Sequence, residues 1–307
     1  MTDPAAPPAS RGAKGGLFFG FGACASWGLF PAFFPLLKPA GAPEVLAQRI
    51  VWMLVVLAAV LLVTRQLGNV RSITRGTWWL LVCAAALISV NGIILLYALN
   101  NGYVVDAALG YFINPLVSVV LGMLIYRERL NRFQTIAVGI AVVAVAVLSA
   151  QVGSVPFIAI GLALSFGLYG AVKKAVPTDP RLSVGIETAM AAPFAIGYLV
   201  VLQLSGHGQF TNHGWGHIAL TVLSGPVTAI PLLMFAAAAQ RLPLVTLGLM
   251  FYLTPAMQMA WGVVVGHEPM PQARWVGFAL IWVALAVFST DALRRSRSTA
   301  VRAVAGR

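Results

Sequence analysis

Hydrophobic positions in this chain come in long runs, and the polar and charged positions are confined to the short segments between them. A helix that crosses a bilayer needs about 20 mostly apolar residues. Runs of that kind fall at residues 15–37, 44–64, 77–99, 104–126, 132–150, 155–175, 183–204, 216–238, 243–266 and 272–291. The pattern predicts ten membrane-spanning helices. Very short links join the fourth run to the fifth and the ninth to the tenth, so each of these pairs is expected as a tight antiparallel hairpin.

The runs also carry an internal repeat. Asp106–Ser149 returns 140 positions later as Thr246–Ser289 with no gap: Pro115 falls on Pro255, Gly122 on Gly262 and Glu128 on Glu268. Matched Pro, Gly and Glu at one spacing count for more than the aliphatic and alanine identities around them. With an offset of 139 the repeat reaches the start of each half, where Gly22, Ser26 and Gly28 fall on Gly161, Ser165 and Gly167, and Trp27 and Phe30 on Phe166 and Tyr169. Each half then holds five spans, and because five is odd the second half enters the membrane from the opposite side. The expected fold is an all-α integral membrane protein, ten transmembrane helices arranged as two inverted five-helix repeats over residues 15–150 and 155–291. A disordered cytoplasmic segment, 1–14, is expected before them and a basic cytoplasmic tail, 292–307, after them. Inverted repeats are a hallmark of secondary transporters, whose substrate site lies between the halves near the midplane.

Composition agrees with a lipid environment. Of 307 residues 60% are hydrophobic and 9% charged, with mean hydropathy +0.89, against about 25% charged in soluble domains. The net charge of +12 would suit nucleic acid, but the basic residues sit in clusters between apolar runs and form no face of their own, which excludes that partner. With a cytoplasmic N-terminus, seventeen Lys and Arg fall in inward-facing segments and only Lys38 and Arg274 in outward-facing ones. That asymmetry follows the positive-inside rule and places both termini in the cytoplasm of a multi-pass inner (plasma) membrane protein. The first ten residues lack the cleavage site of a signal peptide. Cys24 and Cys83, inside apolar runs, read as small hydrophobes.

Ionisable groups within spans are expensive and mark function by default. Arg49 lies in the second span and Glu187 in the seventh; the repeat places Glu187 on Gln48, next to Arg49. The two are expected to line a cavity, facing each other across the pseudo-twofold axis or binding a charged substrate group. Pro115 and Pro255 each remove a backbone donor inside a span, freeing the carbonyls of Tyr111 and Phe251, and read as hinges beside Tyr111, Asn114, Tyr252 and Thr254. Asn91 in the third span, Asn101 at its end and Tyr169 in the sixth complete the candidate substrate-binding set of Arg49, Asn91, Asn101, Tyr111, Asn114, Tyr169, Glu187 and Tyr252. Structural glue is the competing reading for Asn91, a helix cap for Asp106, and the positive-inside rule for Lys173 and Lys174. A proton-coupling role for Asp106 or Glu187, or exchange against a counter-substrate, is compatible with the sequence but not required by it. His213 and His217 have helical i,i+4 spacing without further ligands, so no metal is expected, and no cofactor motif, phosphate-binding loop or nucleophile–base arrangement is present. The expected partners are a small-molecule substrate and the lipid bilayer. An intramembrane enzyme acting on lipid, or a membrane scaffold, is the alternative.

The chain resembles a known family. Paired five-helix halves with a proline-centred fourth helix and the elements Gly122…Glu128 and Gly262…Glu268 resemble the EamA-type repeat of the drug/metabolite transporter superfamily. Ala108–Leu116 preceded by Asn100 and Asn101, Gly161–Gly170 with Lys173 and Lys174, Ile186–Thr188 and Ile281–Ala286 resemble its RarD subfamily more narrowly. The likeness runs from about residue 15 to 292. It implies a ten-helix inner-membrane permease working by alternating access. Members often labelled chloramphenicol-sensitive imply a drug or metabolite exporter. In the second half only Glu268 of Gly266-His-Glu-Pro269 matches the repeat pattern.

Overall fold

The computed structural model of the chain describes residues 9–101, 103–149, 157–267, 275–277, 279–288 and 290. In chain order the helices are α1 (Ala9–Gly28), α2 (Phe30–Phe33), α3 (Ala42–Val63), α4 (Arg75–Asn100), α5 (Val104–Tyr126), α6 (Arg132–Ser149), α7 (Phe157–Ala175), α8 (Pro180–Leu204), α9 (Gly214–Ala239), α10 (Leu244–Met250) and α11 (Leu253–Val264). A short apolar helix over Trp275–Phe288 follows. Nine stretches of the described residues are helical, long and apolar enough to cross a membrane, from Gly15–Leu37 to Leu244–Val264. The chain is an all-helical membrane protein. The tenth expected span lies partly outside the described residues, as do residues 1–8 of the N-terminal segment, Glu268, Arg274 and the tail 292–307.

Two of the expected spans are not single helices, and proline is the reason in both. In the first, Pro31 cannot donate to the carbonyl of Trp27; the helix stops at Gly28, a short turn and α2 follow, and the Trp27 carbonyl instead accepts from Gln258 Nε2 at 3.0 Å. In the ninth, Pro255 cannot serve the Phe251 carbonyl. The helix breaks between Met250 and Leu253, and the amide of Thr254 takes that acceptor at 3.1 Å. Pro115, by contrast, sits inside an uninterrupted α5. Non-helical backbone at membrane depth is tolerated where such acceptors are re-satisfied by protein.

Local signals elsewhere agree with the fold. Asn131 and Gln134 form a reciprocal capping box at the start of α6, each side chain accepting from the other's backbone amide at 2.9 and 3.0 Å. Asp179 caps α8 through the Arg181 amide at 2.8 Å. Arg127, which ends α5, and His267, 140 positions later and just past α11, both lie in the left-handed region, at φ 52° and 48°.

Helices meet where side chains are small. α3 lies against α8 and α9, α7 against α4 and α5, and α1 against α9. A Cβ on Gly225 would stand 2.5 Å from the backbone carbonyl carbon of Trp52, so α9 and α3 touch backbone to backbone there. α10 runs along α5, with Gly248 against the Pro115 carbonyl; past the break α11 leaves α5 and packs on α1. Ile281, Ala284 and Phe288 of the last helix are buried in the same cluster as Ala137, Ala141 and Ala144 of α6.

Candidate functional site

One end of the bundle is cross-linked by polar contacts. Across the short link between α7 and α8, side chains of the last turns of α7 meet those of the first turns of α8. Lys173 Nζ lies 2.7 Å from Glu187 Oε1, with both side chains buried. Ser183 donates to the same carboxylate oxygen at 2.8 Å and also meets Lys173, while Tyr169 donates to Glu187 Oε2 at 3.1 Å. The carboxylate thus has three donors in a dry environment, where a charge persists only if paired and hydrogen-bonded.

Around this network the loops of the same end are tied together. Glu128, held beyond α5 by the left-handed Arg127, accepts from the backbone amides of Leu244 and Val245 at 2.8 Å each, so it caps α10 in trans. Lys174 approaches Glu128 at 3.4 Å and donates to the Leu242 carbonyl. Gln240 donates to the carbonyls of Val176 and Thr178, and Tyr126 to that of Ala171. Further in, the rings of Trp27, Phe166, Phe235 and Phe251 all lie within 5.3–5.8 Å of one another by centroid, and Tyr169 stacks on Phe235 at 5.8 Å. Three helices, α1, α7 and α9, and the break after α10 contribute to this aromatic plug.

Arg49 lies beyond the plug. Its Nε donates to Thr228 Oγ1 at 3.1 Å, and its guanidinium stands 4.8 Å from the ring centre of Phe34 and 5.8 Å from that of Phe30. Tyr111 of α5 is its electrostatic neighbour. Thr228 is near the middle of the 26-residue α9, so the charge sits at mid-depth and does not snorkel to an interface. The expected approach of Arg49 to Glu187 is not what the structure shows. Gln48 is the residue that corresponds to Glu187; one position further along a helix turns a side chain by about 100°, which sends Arg49 toward α9 and α5 while Glu187 is taken by Lys173.

The remaining candidates divide. Asn91 donates to the Leu162 carbonyl and to Ser165 Oγ, at 3.0 and 2.9 Å, and so ties α4 to α7. Asn101 is exposed and donates to the Tyr97 carbonyl of its own helix. Asn114 and Tyr252 are buried, and Asn114 Oδ1 and the Tyr252 hydroxyl have no partner among the described residues. Asp106 lies in the first turn of α5 but no side chain caps that helix, so only its charge near the dipole remains of the expected cap. Thr254 donates to the Cys24 carbonyl at 3.0 Å, which fixes α11 on α1.

The EamA-like transporter family matches this chain twice, over residues 14–150 and again over residues 154–290. The chain belongs to that family. Within it the RarD group is the near relation: Protein RarD of Streptomyces exfoliatus is 47% identical over 289 residues, covering 94% of this chain and 92% of the relative. An uncharacterized transporter of Bacillus subtilis, YojE, is 40% identical over 279 residues, 89% of this chain and 93% of its own. A crystal structure 18% identical in sequence superposes with a TM-score of 0.69 over 92% of this chain and 98% of that one, which is a likeness of fold alone. This EamA-like protein is a membrane transporter. Sequence reasoning missed the partner of Glu187 and the trans cap made by Glu128. Two i,i+4 pairs, Tyr169 with Lys173 and Ser183 with Glu187, flank the α7–α8 link and were a signal for the first.

Proposed function

We propose that the chain is a secondary transporter that exports a small metabolite or drug by alternating access between two inverted five-helix halves, amphenicols being the class suggested by the family resemblance. The observation that carries the reading is the unequal closure of the two ends. α10 is held on α5 and capped by Glu128 at one end, while α11 diverges from α5 toward the other. The packing supports paired halves. α7 on α5 corresponds to α1 on α11, and α4 on α7 to α9 on α1; each contact becomes the other when helices exchange for their repeat partners. The double family match supports the same division.

The charge asymmetry makes the cross-linked end cytoplasmic, with both termini on that side of the cell membrane. This conformation is then outward-facing. Arg49 and Tyr111 face the open side, with Asn114 and Tyr252 offering unpaired polar atoms near the breaks. Tyr169 and Glu187 belong to the inner seal and meet substrate only when it opens. Pro115 and the Phe251–Pro255 break serve as hinges, and Glu187, released from Lys173, is the group to which a proton or counter-substrate would couple. Asn91 and Asn101 serve helix packing and capping on this reading.

Reconstitution into liposomes with a screen of amphenicols, amino acids and nucleosides tests the proposal. Protein-dependent flux down an imposed gradient is expected for at least one class. A folded, membrane-inserted protein that moves none of them would overturn it.

A further inference from the structure

We infer that the transported molecule carries a single carboxylate, received by the Nη1 and Nη2 edge of Arg49 at the midplane, with its apolar body against Phe30 and Phe34. This rests on the transporter reading above and narrows its substrate. Lys173 and Arg49 are two cations set into the spans. The protein supplies Lys173 with a carboxylate at 2.7 Å. Among the described residues it supplies Arg49 with none: one hydrogen bond, through Nε to a neutral hydroxyl, is all the guanidinium makes. That hydroxyl already donates to the Ser224 carbonyl, so it has no further role to offer a ligand.

An arginine held at mid-depth without a counter-ion is a functional group by the ordinary economics of the bilayer. The geometry says which ligand completes it. The guanidinium carbon stands over the rings of Phe30 and Phe34, and Nε is taken by Thr228, which leaves the edge of the two Nη atoms without a hydrogen bond among the described residues. Neither Nη atom has a hydrogen-bond partner among the described residues, and neither is fully enclosed. A planar, two-donor edge matches a carboxylate bidentately. One guanidinium beside the neutral Thr228 and Tyr111 balances one negative charge, so a phosphate dianion would leave a charge uncompensated. A neutral amphenicol would leave Arg49 as it is.

The test uses the purified full chain in detergent and, in parallel, in proteoliposomes. Thermal stability is measured with phenylacetate, other aromatic and aliphatic monocarboxylates, phenylacetamide, phenyl phosphate, chloramphenicol and phosphatidylglycerol. Phenylacetate or a related carboxylate is expected to stabilise the wild type, its amide and the phosphate to do so at least tenfold more weakly, and Arg49→Gln to abolish the effect. Arg49→Lys, which keeps the charge but loses the fork, serves if the glutamine variant does not fold and should weaken carboxylate binding about fivefold or more. No stabilisation by any carboxylate, equal stabilisation of the Arg49 variants, or Arg49-dependent stabilisation by phosphatidylglycerol alone overturns the inference. Chloramphenicol flux indifferent to Arg49→Gln overturns it too, yet leaves the transporter reading standing. Arg49-dependent carboxylate binding without flux of any compound does the reverse.

Discussion

Removing either partner of the Lys173–Glu187 pair should destabilise the protein, and removing both should cost less than the two losses added. Lys173 is 0% exposed and Glu187 4%, so either charge left alone stays in a dry interior, which costs about 3–5 kcal/mol. The two single losses should differ. Without Lys173, Glu187 keeps donors from Ser183 and Tyr169; without the carboxylate, Lys173 keeps neutral partners alone, the Ser183 hydroxyl, the Tyr169 ring and the amide oxygen that glutamine offers. Glu187→Gln should therefore cost more than Lys173→Met, the two lying near the upper and lower ends of that range. The double variant should cost less than the two single losses added, by a coupling energy of about 2–3 kcal/mol. Reversible unfolding in mixed detergent micelles, run on the wild type, both singles and the double, measures the cycle. Single variants that each cost under about 1 kcal/mol, or that add without coupling, would mean that water reaches the pair and would refute the reasoning.

Other perturbations follow from the same contacts. Glu128→Ala removes two charge-assisted bonds to the start of α10 and should loosen the inner seal. In a background with Cys24→Ala and Cys83→Ala, a cysteine at buried Ser118 should react with a water-soluble maleimide about fivefold faster or more, and an unchanged rate would count against Glu128 as a clasp. Gly225→Ala sets a Cβ against the backbone of Trp52, so it should lower stability by about 1–3 kcal/mol, whereas Gly139→Ala meets nothing within 4 Å and should be neutral or slightly stabilising; melting curves compare them. Asn91→Ala should cost about 0.6–2 kcal/mol in the same assay and leave the concentration dependence of transport unchanged, since its amide is engaged between α4 and α7.

What the sequence made legible was what depends on local composition. Run length placed nine spans to within a few residues, because lipid demands apolar helices of one length. The breaks in the first and ninth spans were visible as Pro31, Pro35 and Pro255, yet hydropathy averaged across them. The site was harder to read because its contacts are non-local. Lys173 satisfies the positive-inside rule by position, so nothing in its surroundings announced that α8 would bring Glu187 onto it. The repeat set Glu187 on Gln48, one residue from Arg49, but side-chain rotation depends on a single residue of register, and that decided their partners. Glu128 read as a loop residue; that its carboxylate caps α10 depends on Gly122, where a Cβ would lie 2.9 Å from Oε2.

The central claim is that this protein moves a small molecule across the membrane. Counterflow in proteoliposomes tests it most directly, with vesicles preloaded with one unlabelled compound and offered a trace of the same compound labelled, phenylacetate and chloramphenicol being run first. The account predicts a transient, protein-dependent accumulation of label, which for phenylacetate disappears in Arg49→Gln and slows with Glu128→Ala. Label that equilibrates at the rate of empty vesicles for every compound screened, with the protein folded and inserted, would contradict it.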